Sequence, residues 1–422
     1  MALQRREFLK LLGAVSGTAA LASCATTGGG SAGRVVVIGA GYGGATAAKY
    51  VKLWAPDIDV TLAEREAQFI SCPLSNLVLG GNAQMSDVTR GYDGLRKHGL
   101  RLLHDAAVAV DPAKREVRLA SGTILAYDRL IVSPGVDLNY APLPGLQSAD
   151  AQSRVLHAWK AGPQTVALRK QLESMRDGGV FVIHIPRAPF RCPPGPYERA
   201  CQVADYFKRA KPKSKIIVLD TNEDIISKKG LFLAAWNGLY KGMIEYQPNS
   251  ELTDVDAKTL TAKLQFDDVK ADVLNVVPPQ RAADIARQAG LTATHGWCDI
   301  DWVTYESKLV PGVHVLGDAT LSAPAMPKSA TMANQHAKVC AAAVIALIKG
   351  VPVNPSPVIL NTCYSFVDGR NVMHVASVHQ YDGAQKTMVP IKGAGGLSDK
   401  ASELEATFAW GWARNIWADT LA

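Results

Sequence analysis

The residues best equipped for chemistry in this chain are its cysteines. Seven occur in 422 residues, too few for a disulfide scaffold, and none is spaced as CxxC, CxxCH or a zinc pattern. Three stand in contexts of their own: Cys72 in Phe69-Ile70-Ser71-Cys72-Pro73-Leu74-Ser75-Asn76, Cys192 in Arg191-Cys192-Pro193-Pro194-Gly195-Pro196-Tyr197-Glu198-Arg199-Ala200, and Cys363 in Asn361-Thr362-Cys363-Tyr364-Ser365. A thiolate attacks electrophilic carbon or exchanges with a disulfide, and the compartment decides whether proximal thiols pair. Glu198, near the start of a helix, is either a proton acceptor beside Cys192 or an ordinary acid at a helix N-terminus. Cys201 and Cys340 fall in Ala-rich helical stretches and are expected to be inert packing, and Cys298 carries no role. No metal is expected, because the nine histidines show no ligand spacing, and His336 reads as an ordinary core or surface residue.

The compartment is legible at the amino terminus. Gln4-Arg5-Arg6-Glu7-Phe8-Leu9-Lys10 precedes an apolar run, Leu11 to Ala22, too short to span a bilayer. Residues 1–23 therefore read as a twin-arginine signal peptide, and residues 24–33 as a Gly/Ser/Thr-rich linker. Ala20-Leu21-Ala22 fits a small-x-small cleavage site, and Leu21-Ala22-Ser23-Cys24 fits a lipobox that would lipidate Cys24 and bring the chain to a membrane. Either way the expected location is the bacterial periplasm, reached by a protein exported folded.

The cysteines need a frame, and the strands and glycines supply it. Arg34 to Ile38 is a β-branched run followed by Gly39-Ala40-Gly41-Tyr42-Gly43-Gly44 and a helical stretch, Ala45 to Leu53. Gly39, Gly41 and Gly44 hold the dinucleotide-fold positions, and Glu64, ending the next strand, is placed to accept ribose hydroxyls. Tyr127 to Gly135 is similar to the strand-to-glycine return of flavoprotein disulfide reductases, and Val313 to Asp318 to their second FAD strand. These features point to FAD. Ser329 starts a helix whose free amides would face the flavin, and Lys328 either adds to that field or is a solvated charge.

A second unit of the same type lies between these halves: strand Gly179–His184, helix Tyr197–Ala210, strand Ile216–Asp220. Its first turn, Ile185 to Gly195, holds four prolines and lacks the glycines that would admit a pyrophosphate, so NAD(P)H is not the expected electron source. The fold class is accordingly α/β, with two Rossmann-like dinucleotide-binding domains as in glutathione reductase and a C-terminal α+β interface domain. The expected boundaries are 34–150 and 273–350 for the FAD domain, 151–272 for the second, degenerate domain, and 351–422 for the interface domain.

The contexts of Cys72, Cys192 and Cys363, with Pro327-Lys328-Ser329-Ala330, resemble the flavoprotein subunit of flavocytochrome c sulfide dehydrogenase, in order from Arg34 to the C-terminus. The resemblance implies FAD in a thioether to Cys72 and a redox disulfide between Cys192 and Cys363. It further implies sulfide as substrate and a c-type cytochrome subunit as electron acceptor, in a heterodimer.

Two other readings stay open. A sulfide:quinone oxidoreductase would share the frame and the cysteine chemistry; export argues against it, while the aromatic tail of Phe408, Trp410, Trp412, Ile416 and Trp417 keeps it open as core, cytochrome interface or quinone entrance, in that order. A non-catalytic flavin electron-transfer subunit would use Cys192 and Cys363 as a staple. The net charge of +7 is mild and no basic block interrupts the chain, so nucleic acid is excluded as a partner.

Overall fold

The computed structural model describes residues 31–422; the twin-arginine segment, Cys24 and the linker as far as residue 30 lie outside the described residues. β1 (Gly33–Ile38) buries its last four residues and pairs in parallel with β2 (Ile58–Glu64) through the crossover helix α1 (Tyr42–Trp54). Three glycines make this turn possible. Gly39 has φ 88°, and a Cβ there would meet the Ser133 carbonyl at 2.5 Å; a Cβ on Gly44 would meet the Gly39 carbonyl at 1.8 Å; Gly41 faces open space. The short helix α2 (Ser75–Gly80) follows, then β3 (Arg101–His104) beside β2 and, after an antiparallel excursion over residues 107–126, β4 (Arg129–Val132) beside β1.

β5 (Val136–Leu138) carries the chain towards a second parallel sheet. There β6 (Val180–Ile185), α3 (Gly195–Ala210) and β7 (Lys215–Asp220) form another β-α-β unit, extended after α4 (Lys229–Gly238) by β8 (Ile244–Gln247). β9 (Val273–Val276) completes that sheet against β6, Ile183 opposite Asn275. The expected edge at 272 is therefore too early by one strand: Val273–Val276 are all buried and belong to the second domain. β10 (Gln280–Ala282) pairs with β5 as the return, and β11 (Val313–Val315) joins β4 in the first sheet, giving the order β11-β4-β1-β2-β3.

α5 (Ala330–Lys349) begins where expected, its Ser329 hydroxyl capping the Met332 amide at 3.0 Å. It is long and apolar enough to cross a membrane, but most of it is buried inside this protein as a core helix packed on α1. The C-terminal part is an antiparallel sheet, β12 (Val358–Phe366), β13 (Val372–Asp382) and β14 (Thr387–Leu397), followed by α6 (Glu403–Leu421). Two Rossmann-like sheets and a C-terminal α+β unit thus agree with the expected fold class.

α6 is fastened to the FAD-type domain by charge. Lys49 Nζ donates to the carbonyls of Ala418 and Asp419 at 3.1 and 3.0 Å, a cation at a helix C-terminus. The Asp419 carboxylate accepts from Tyr50 (2.5 Å), Asn334 (2.7 Å) and Lys338 (2.8 Å). Burial opposes its ionisation, but Lys338, Tyr50 and Asn334 together hold the carboxyl below its ordinary range. Asp419→Ala leaves three donors without their acceptor and should cost about 1–3 kcal/mol, measured by urea unfolding. Because the folded carboxyl is the stronger acid, its contribution is complete above the ordinary Asp range and lost as pH falls through it. The variant should therefore show a shallower acid loss of stability than wild type.

Candidate active site

The turn from β7 explains what became of the second nucleotide site. Asp220, at the end of β7 where a ribose would be held, is fully buried and accepts from the Tyr197 and Tyr246 hydroxyls at 2.7 and 3.0 Å and from the Asn222 amide. Asn222 in turn binds the Pro186 carbonyl, closing the proline loop over the strand ends. The loop instead delivers Cys192, in left-handed backbone at φ 60°, to the start of α3.

Cys192 is pinned by its amide to the Lys328 carbonyl at 2.8 Å. Its sulfur crowds Gly195, where a Cβ would lie 2.9 Å from both Cys192 Sγ and the Trp159 ring. The Trp159 carbonyl accepts from the Arg191 guanidinium and, at 3.9 Å, from the Cys72 thiol, so Cys72 and Cys192 gather around one residue. Cys363 approaches from β12. Its thiol meets Asn361 Oδ1 at 3.4 Å, an oxygen that also takes the Ser329 hydroxyl at 2.6 Å. Cys72, Cys192 and Cys363 are half-buried residues with free thiols, whereas Cys201, Cys298 and Cys340 are fully buried. The expected Cys192–Cys363 bond is thus not formed in this structure. Burial pushes both thiols up, which favours the protonated form of each.

Glu198 sits in the first turn of α3 but does more than cap it. It is buried, with Oε2 accepting from Asn76 Nδ2 and Oε1 from the Phe366 amide, each at 2.8 Å. Burial raises its pKa, against the opposing pull of the Phe366 amide, Asn76, Lys228 and Arg199. Asn76 is shared: its Nδ2 also reaches the Gly195 carbonyl at 3.1 Å, and its Oδ1 accepts from Arg199 Nε at 3.1 Å.

The remaining expected residues line the dinucleotide side. Glu64 Oε2 accepts from the Ala40 amide at 2.6 Å, next to the open face of Gly41, and keeps lone pairs for a ribose. Gly135, at φ 68°, also faces open space. Asp318 follows β11, its Oδ1 buried without a partner; burial raises its pKa against Arg191 and Lys328. His336 Nε2, Trp159 Nε1 and Gln280 Nε2 are likewise buried and unpartnered. A glycine cradle beside an acid, with an orphaned carboxylate oxygen across from it, fits the dinucleotide portion of FAD. Lys328 is not a solvated charge: it is 4% exposed, its Nζ bonds the carbonyls of Asp318 and Thr320, and it stands 3.8 Å over the Trp297 ring. Burial lowers it to about 8. His336 is a core residue whose Nδ1 accepts the Gly317 amide at 3.3 Å.

Sequence reasoning missed Trp159, Arg191 and Lys228 as members of the site. Arg191 stood next to Cys192 in the sequence, but Trp159 and Lys228 lie in loops without a motif.

Relatives of known type fit this geometry. Residues 165–278 match the family "Sulfide dehydrogenase [flavocytochrome c] flavoprotein chain, central", residues 355–421 match "Flavocytochrome c sulphide dehydrogenase, flavin-binding", and residues 33–174 match "Pyridine nucleotide-disulphide oxidoreductase". The sulfide dehydrogenase [flavocytochrome c] flavoprotein chain of Chlorobaculum thiosulfatiphilum is 53% identical over 45 residues, 11% of this chain and 94% of that sequence. The mitochondrial sulfide:quinone oxidoreductase of Mus musculus is 24% identical over 324 residues, 72% of this chain and 68% of that one. The solved sulfide:quinone oxidoreductase of Aquifex aeolicus superposes with a TM-score of 0.75 at 17% identity, covering 92% of this chain and 91% of that one, and so shares its fold. The chain belongs to the family of flavocytochrome c sulfide dehydrogenase flavoprotein chains, built on the pyridine nucleotide-disulphide oxidoreductase fold.

Proposed function

We propose that this chain is a periplasmic FAD enzyme that oxidises sulfide to zero-valent sulfur or polysulfide and delivers electrons singly to a c-type cytochrome. The observation that carries the reading is the convergence of Cys192, Cys363 and the buried Glu198 beside a dinucleotide cradle. In this reading Cys192 and Cys363 form a disulfide in the oxidised enzyme. Hydrosulfide attacks one sulfur, leaving a persulfide on that cysteine and a thiolate on the other. Glu198, with its raised pKa, takes the proton of hydrogen sulfide. A second hydrosulfide carries the outer sulfur away, and the cysteine pair is left reduced. The glycine cradle with Glu64 and Asp318 would hold FAD, which would supply a two-electron acceptor for that pair able to release electrons one at a time. Cys72 holds FAD through a thioether, which prevents loss of the cofactor outside the cytoplasm.

The twin-arginine segment supports the periplasmic location, and lipidation at Cys24 would add a membrane anchor. No CxxCH occurs in the sequence, and in this reading the haem is carried by a separate cytochrome subunit. Filling of Asp220 by two tyrosines supports a route without NADH. Quinone is the second reading for the acceptor, favoured by the likeness to the mouse enzyme. Against it stands the packing of the aromatic tail. Trp417 is 5% exposed, Trp410 meets Phe366 and Trp412 meets Tyr364, which leaves Leu404 and Phe408 as the exposed large apolar residues of α6.

Three outcomes are expected. Under anaerobic conditions sulfide should bleach the flavin absorbance and cytochrome c should restore it, while NADH does neither; bleaching by NADH alone would sink the reading, and reoxidation by a quinone analogue but not by cytochrome c would transfer it to the quinone enzymes. After acid denaturation the flavin should stay with the polypeptide, and Cys72→Ala should release it to the supernatant. Glu198→Gln should lower sulfide turnover about a hundredfold or more. Since glutamine offers one oxygen to the two donors Asn76 and Phe366, that variant should also lose about 1–3 kcal/mol of stability in urea unfolding.

A further inference from the structure

Lys228 is a cation of this site that the reaction above leaves unused. It precedes α4 in left-handed backbone, φ 55°, and is 5% exposed. Its Nζ donates to the Cys363 carbonyl at 3.0 Å and to the Ser365 hydroxyl at 2.8 Å. Both acceptors are neutral, and among the described residues no carboxylate forms an ion pair with it. A buried ammonium held only by neutral oxygens is costly, and the cost is relieved when a negative charge arises nearby. The ionisable groups facing it are Cys363 on β12, Glu198 on α3, Cys192 before α3 and Glu405 on α6.

The two thiols do not share this cation equally. At Cys363, Lys228 is the strongest influence opposing burial, followed by Asn361 and Ser329, with Glu198 acting against them. At Cys192, Glu198 and Cys363 add to the effect of burial, and Arg191 and Lys228 oppose it. Lys228 Nζ is bonded to the carbonyl of Cys363 itself and to the hydroxyl two residues further on, and no hydrogen bond ties it to Cys192 among the described residues, so negative charge on the pair is better accommodated at Cys363. We propose that Lys228 is a positioning residue whose ammonium, fixed between the Cys363 carbonyl and the Ser365 hydroxyl, seats the anionic sulfur on Cys363 whenever the Cys192–Cys363 pair is opened or reduced. This rests on the sulfide-oxidising reading and specifies its first step. Hydrosulfide bonds to Cys192 Sγ as the Cys192–Cys363 bond breaks, giving a Cys192 persulfide and a Cys363 thiolate. One negative charge enters and one remains, with no outside oxidant or proton required.

Alkylation tests this without sulfide turnover, so its outcome is separate from that of the enzymatic reading. The flavin-loaded protein is reduced with a phosphine, treated anaerobically with iodoacetamide across pH, and each cysteine followed by peptide mass spectrometry. In wild type, Cys363 should react ahead of Cys192. Lys228→Gln keeps a donor for the two oxygens but removes the charge, and should slow Cys363 about tenfold at neutral pH, moving its midpoint up by about one unit. Lys228→Arg should restore most of the rate. Identical Cys363 profiles in wild type and Lys228→Gln would overturn the proposal. Should Lys228→Gln fail to fold, the wild-type order decides, and Cys192 reacting first would overturn it equally.

Discussion

The site depends on one buried carboxylate. Glu198 has two oxygens and satisfies one donor with each: Asn76 from α2, just after Cys72, and the Phe366 amide from the strand that carries Cys363. Its own backbone lies six residues beyond Cys192. Three stretches far apart in sequence are thereby held to one point, and each brings a cysteine. A carboxylate in so dry a place is unfavourable unless its hydrogen bonds are complete, so the same bonds that gather the thiols are those that make the burial tolerable.

Around this point the charges are arranged in layers. Arg199 lies behind Glu198, its guanidinium spent on Asn76, Asn275 and the carbonyls of His157 and Ala158. Lys228 stands on the Cys363 side, Arg191 on the side of Cys72 and Asp318. Lys328 is occupied by backbone carbonyls and the Trp297 ring, with Asp318 and Cys298 as its charged and ionisable neighbours. Cations buried among neutral acceptors favour anionic intermediates in sulfur exchange, since the field is already in place when the charge appears. The second Rossmann-like domain supplies Cys192, Glu198, Arg199 and Lys228 to this cluster in place of a nucleotide site. Its ribose-binding position is closed by tyrosines, and its first turn presents a cysteine where a pyrophosphate would have lain.

Much of this was legible from residue order. The β-branched run before Gly39, the acid at Glu64 and the returning strand at Val313 each obey local rules, since strand propensity and the steric need for glycine in a tight turn act over a few residues. The prolines around Cys192 announced the loss of the nucleotide site for the same reason: a missing amide is a property of the residue. The edge at 272 was misplaced because Val273–Val276, a short buried strand whose one polar residue is Asn275, could close either sheet, and periodicity does not choose between them.

What only the tertiary structure decided was which side chains meet. Glu198 at the first turn of a helix has a sufficient local explanation, and nothing near it in sequence reveals Asn76 or Phe366. Lys328 was open by sequence between a charge near the flavin and a solvated one, and Lys228 carried no signal; the first is a buried brace and the second a neighbour of Cys363. Trp159, joining Cys72 to Arg191, lies in a loop with no pattern at all. Burial and partnership are set by contacts across more than a hundred residues, as between Glu198 and Phe366. They emerge only when two sheets and a C-terminal strand have closed around the same volume. The sequence alone determined the frame and the reactive atoms, because those follow from local geometry and residue type; the electrostatics of the site came from packing.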